Sequence, residues 1–241
     1  MDVFEGYTGI RWGSELLIHD FFLLIIIVLL ALFALVFRSC YPLIEKMIRG
    51  FSAIKERQNL FDTPTKENVF FGGFMRFQTL FLCAVFFFLA YCRITERLYW
   101  VFLSDFTLLI GFFLILILFY LLKQSLYFMY GRIMIGKDKY RLWKNNYHAS
   151  FYFWGVSLYL PVLWLMFDPV HNTGIFILFV FTYILFRFYV IYLKIHIFYP
   201  KDAGLLYFSL YLCAQEFIPL LFLYESINYL HNIIEISILW Q

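Results

Sequence analysis

Gln215 and Glu216 stand side by side in YLCAQEFIPLLFLYE, residues 211–225, with Pro219 one turn further on. A carboxylate in so apolar a run can pair with a cation, hold a proton, or accept hydrogen bonds from its own helix. Each choice is forced by cost, because an ionised acid at membrane depth must face a bundle interior, a wet cavity or a partner. Glu216 lies about 12 residues into the apolar stretch 204–224, roughly 18 Å of helical rise from its start. Arg187 lies about seven residues, roughly 10 Å, above the same face in the preceding stretch 174–193. The spacing predicts a direct or water-linked Glu216–Arg187 contact, with Tyr183 one turn deeper and Gln215 and Cys213 nearby. Such a pair would fix helix orientation; alternatively Glu216 is a proton- or cation-responsive group, or a protonated acid bonded to a carbonyl. Pro219 has no N–H, so the carbonyl of Gln215 loses its usual donor and is left for another bond, a kink or a cavity.

Other polar residues fall at the ends of apolar stretches. His19, Asp20, Asp105, Asp168 and His171, together with Glu96, form an expected outer rim. Histidines and carboxylates are divalent-metal ligands, but no HExxH or His-x-His pattern organises these, so no metal is assigned and they read as wet helix caps. Lys123, Gln124 and Tyr127 make a polar rung at helical spacing, compatible with snorkelling to headgroups or with an interface. His148 and His196 mark the opposite boundary, and His196 sits in a short polar turn suited to a partner or to chain reversal. Pro161, within YLPVLW, predicts a kink in its helix and, with Pro219, a second irregular segment.

The elements that must carry these residues are dictated by composition. Of 241 residues, 63% are hydrophobic and only 15% charged, whereas a soluble domain draws about a quarter of its residues from the charged set. The implied solvent is lipid. Thirty-three Phe and 19 Tyr suit surfaces that meet acyl chains and headgroups. Because a hydrocarbon core of about 30 Å needs roughly 20 helical residues, the sequence predicts an all-α polytopic bundle with six spans: 16–37, 75–92, 101–122, 149–167, 174–193 and 204–224. It reads as one integral-membrane domain, and its first 20 residues do not read as a cleaved signal peptide. Cys40, Cys83, Cys92 and Cys213 are scattered and read as buried thiols.

Charge then orients the spans. Residues 38–76 hold seven Lys and Arg, 123–148 six and 194–203 two, against Arg11, Arg93 and Arg97 on the alternate side. By the preference of basic connections for the cytoplasm, both termini are expected on the periplasmic face of an inner membrane. Leu43, Met47, Phe51 and Ile54 recur at helical spacing and predict an amphipathic surface helix after the first span. Gly72 and Gly73 are expected to break the run that follows. The basic, aromatic stretch GRIMIGKDKYRLWKNNYH suits anionic lipid better than nucleic acid.

No phosphate-binding loop, dinucleotide fingerprint or haem-attachment sequence is present, so no cofactor is expected. No internal repeat favours an inverted-repeat transporter.

Three stretches carry a resemblance: LLKQSLYFMYGRIM at 121–134, SLYLPVLW at 157–164 and LYLCAQEFIPLLFLYE at 210–225. On these the chain resembles domain-of-unknown-function family 4271, an integral-membrane family of the Bacteroidota. The resemblance implies that Glu216, Pro219, Cys213 and Lys123 match the family's acidic residue, proline, cysteine and lysine. AQE stands where a Thr-Leu-Glu-like tripeptide is expected, which adds polarity beside Glu216. The family supplies no activity.

Three function classes remain. The leading one is a non-enzymatic inner-membrane assembly or accessory protein of an envelope complex, contacting lipids and an envelope partner or a second copy of itself. The alternatives are a small-molecule or proton-coupled transporter using Glu216, and a lipid-modifying enzyme built on the outer rim.

Overall fold

The computed structural model describes residues 14–41, 45, 66–94, 102–130, 137–167, 172–198 and 218–229. The helices are α1 (Ser14–Ser39), α2 (Lys66–Ile94), α3 (Phe102–Tyr130), α4 (Lys137–Ser157), α5 (Tyr159–Phe167) and α6 (Asn172–Phe198), followed by α7 (218–229). The protein is an all-α, membrane-spanning helical bundle. Among the described residues five segments are long and apolar enough to cross a membrane: Phe21–Ser39, Val69–Arg93, Phe106–Met129, Tyr140–Phe167 and Thr173–Ile197. The expected sixth span lies mostly outside the described residues, as does the expected surface helix.

Helix is the only open-ended backbone that satisfies its own N–H and C=O groups in hydrocarbon. This is why Gly72 and Gly73, expected as breakers, sit inside α2. With no water competing for the backbone, glycine is cheaper to keep helical in lipid than in a soluble protein.

The fourth span is interrupted at Leu158, three residues before Pro161. Pro161 offers no N–H to the Ser157 carbonyl, and its ring crowds that carbonyl. The Leu158 N–H is accordingly shared between the carbonyls of Trp154 at 3.2 Å and Gly155 at 3.3 Å, and the regular pattern resumes with Val162 N–H to Leu158 at 3.2 Å. The Ser157 hydroxyl also donates to Trp154 O, at 2.7 Å.

α2 is the central helix, packed against α3, α4 and α5, while α6 packs on α4 and α5. Within its span 61% of α2 is buried, against 22% for α1, 28% for α3 and 17% for α6. The outer helices turn Leu24, Ile27 and Leu35, Leu114, Leu118 and Leu121, and Ile177, Phe181 and Phe188 outward. A continuous apolar exterior of this kind is what acyl chains solvate.

The interior falls into two layers. One joins Phe22, Ile26 and Leu29 of α1 to Leu82, Val85 and Phe88 of α2, Phe112 of α3, Val162 and Leu165 of α5 and Ile175 of α6. The other joins Val36 and Cys40 to Phe71 and Met75, Tyr127, Trp143 and Tyr147, and Phe186 and Val190. The second layer thus collects the C-terminal ends of α1, α3 and α6 and the N-terminal parts of α2 and α4. Those are the helix ends adjoining the basic segments 38–76, 123–148 and 194–203. This is the basic end of the bundle.

Candidate functional site

At the basic end, Lys123 of α3 and Lys194 of α6 are 2% and 3% exposed, a burial that charged side chains seldom reach. Both approach the ring of Tyr127: Lys194 Nζ lies 4.5 Å from its centroid and Lys123 Nζ 5.8 Å. Lys123 Nζ is also 5.8 Å from the Phe119 ring. Tyr127 in turn meets Trp143 edge-on at 4.6 Å and Tyr147 at 5.3 Å, and those two rings stack at 5.2 Å. The negative face of an aromatic ring attracts an ammonium most strongly where water is excluded. Four-residue spacing places Lys123 with Tyr127 on one face of α3, and Trp143 with Tyr147 on one face of α4. The rung expected to snorkel to headgroups therefore turns Lys123 and Tyr127 inward.

A second polar group lies where α2, α3 and α4 meet. Arg76 Nε donates to the Gly72 carbonyl at 2.7 Å, and the Tyr152 hydroxyl reaches the same oxygen at 3.4 Å. A Cβ at residue 72 would stand 2.9 Å from the Tyr152 hydroxyl and push it aside, so glycine favours this contact. The Arg76 guanidinium and the Gln124 amide lie beside the Tyr120 hydroxyl, and Arg76 also neighbours His148 and Tyr152. The His148 and Tyr152 rings stack at 6.2 Å. The Tyr120 hydroxyl, Gln124 Nε2 and His148 Nδ1 are buried without a hydrogen bond, as are both polar atoms of the Gln78 amide. Asn146 and Ser150, by contrast, use their own helix: Asn146 Nδ2 donates to Leu142 O at 2.9 Å and Ser150 Oγ to Asn146 O at 2.8 Å.

On α6, Arg187 Nε and Nη2 donate to the Tyr183 hydroxyl at 2.8 and 2.7 Å. The Tyr183 ring lies 5.8 Å from that of Trp154. Glu216, Gln215 and Cys213 lie outside the described residues, and with them the expected Glu216–Arg187 contact. His19 and Asp20 fall in the N-terminal turns of α1 and Asp105 in the first turn of α3, whereas Asp168 and His171 lie outside the described residues. Among the described residues no three His, Cys, Asp or Glu side chains converge as metal ligands. His196 is exposed in the last turn of α6, its ring stacked on Tyr192 at 5.9 Å. Pro161 and Pro219 are both buried.

In the sequence Arg76 stands only as one of the basic residues of 38–76, and nothing singles out Tyr120, Tyr152 or Trp143 individually. A signal was there: Gly72/Arg76, Tyr120/Gln124 and His148/Tyr152 are each four apart, so each pair shares one helix face.

Neither a curated protein nor a solved structure matches the chain. Residues 22–227, most of the 241, match the family described as Domain of unknown function (DUF4271), and the chain belongs to that family.

Proposed function

We propose that this protein is a non-enzymatic assembly or accessory protein of an inner-membrane envelope complex. The supporting observation is the filled middle of the bundle. Leu82, Ala84, Val85 and Phe88 of α2 are fully buried, and Phe86 stacks on Phe179 of α6 with centroids 4.0 Å apart. Apolar rings in van der Waals contact offer no wet path for an ion. A bundle packed in this way serves as a fixed body. Its broad outward apolar faces on α1, α3 and α6 are available to lipid, to a partner helix or to a second copy.

In this reading the chain crosses the membrane six times, with 204–224 as the last span. The basic segments face the cytoplasm, the amphipathic helix lies on that surface, and both termini are periplasmic. In the same reading the protein originates in the Bacteroidota, as the resemblance suggests. Glu216 is a structural acid that closes on Arg187 and Tyr183.

Crosslinking in native membranes followed by detergent purification tests the assembly role. One partner recovered in stoichiometric amount is the expected result. A solitary protein that sustains proton or solute flux in proteoliposomes, with the flux lost in Glu216→Gln, would replace this reading with transport.

A further inference from the structure

We propose that Arg76, Tyr120 and Gln124, with His148 and Tyr152 behind them, form a binding site for a single phosphate group at the basic end of the bundle. The inference rests on this cluster alone and is independent of the assembly reading.

Its chemistry is that of an anion site. Arg76 brings a permanent cation whose planar guanidinium matches phosphate oxygens. The Nε bond to Gly72 O at 2.7 Å holds the guanidinium in place, beside the Tyr120 and Tyr152 hydroxyls. Among the described residues Arg76 makes no ion pair. Beside it, the Tyr120 hydroxyl lies against the Arg76 guanidinium and the Gln124 amide, yet neither that hydroxyl nor Gln124 Nε2 meets a partner at full hydrogen-bond geometry. Buried donors are nearly always paired in native proteins, and an orphaned set around one cation calls for an acceptor that supplies several oxygens at once. Phosphate does so.

Depth agrees with the chemistry. Arg76 is seven residues inside the span that begins at Val69, and Gln124 five residues inside the one that ends at Met129. Both therefore lie toward the basic end of their helices, where long side chains and a headgroup drawn inward can meet. Lys123 precedes Gln124 and Lys144 stands near His148, so further cationic side chains adjoin the cluster. The phosphate can belong to an acidic lipid or be free in solution.

The full chain in nonionic detergent separates these sources. Thermal unfolding and native mass spectrometry would be followed on adding phosphatidylglycerol, phosphate-free diacylglycerol or inorganic phosphate. A rise of several degrees with a retained adduct is expected for a bound ligand. A response to phosphatidylglycerol alone identifies a lipid headgroup, and a response to inorganic phosphate identifies free phosphate; either supports the site. Arg76→Gln should weaken binding roughly tenfold or more. Tyr120→Phe and Gln124→Leu should each weaken it severalfold and carry the test if the arginine variant does not fold. The site is overturned if neither phosphate source exceeds diacylglycerol, which has no phosphate, or if the response is unchanged in Tyr120→Phe and Gln124→Leu.

Discussion

Gly155 of α4 lies so close to Thr79 of α2 that a Cβ at residue 155 would fall on the Thr79 hydroxyl oxygen. That hydroxyl already donates to Met75 O at 2.8 Å, so its polarity is settled within α2 and the contact is one of shape. In lipid, where apolar burial does not drive helices together, close approach over a small residue supplies dispersion contacts. Gly155→Ala is expected to cost about 1–3 kcal/mol through overpacking. Thr79→Ala should recover part of it in the double variant. Unfolding in mixed detergent would measure both, and equal stability of Gly155→Ala and the parent would count against the close-packed seam.

At the opposite end Arg93 Nη2 donates to the Leu165 carbonyl at 2.7 Å, tying the end of α2 to the last turn of α5. That carbonyl is among the last of α5 and has no following helical N–H to meet, so a cation completes the helix terminus. Arg93→Ala should cost about 1–3 kcal/mol and speed amide exchange in Tyr159–Phe167. Arg93→Lys should keep part of the protection. Unchanged exchange in Arg93→Ala would show that the bond does not hold α5.

Tyr127 stands between two buried ammonium groups. Tyr127→Phe retains the ring and should retain its coupling to Lys194, whereas Tyr127→Leu removes the π face and should cost about 1–2 kcal/mol beyond the change in packing. A double-mutant cycle with Lys194→Met isolates the interaction. A coupling near zero would mean that Lys194 draws nothing from the ring 4.5 Å away.

Pro161 separates α4 from α5. Pro161→Ala restores an N–H for the Ser157 carbonyl and removes the ring clash, so α4 and α5 are expected to join, with strong protection of the new amide at 161 against exchange. An amide at 161 that exchanges freely would place the origin of the break at Leu158 elsewhere.

Membrane embedding and helical class could be read directly from composition and run length. Apolar stretches of roughly 20 residues exceed what a soluble helix requires and match what hydrocarbon demands. The grouping of the helix ends follows from the alternation of these stretches with the basic segments. Tertiary structure alone decided which polar residues turn inward. In water an amphipathic helix announces its core face, but here lipid and interior are equally apolar, and a pattern such as LLKQSLYFMY does not distinguish them. Lys123 and Tyr127 therefore read as surface residues in the chain and are buried in the fold, while His196, of similar polarity, stays exposed. The same ambiguity hid Arg76: as one basic residue near a glycine pair it helped to orient the bundle, and only the packing of α2 against α3 and α4 brought Tyr120, Gln124, His148 and Tyr152 around it.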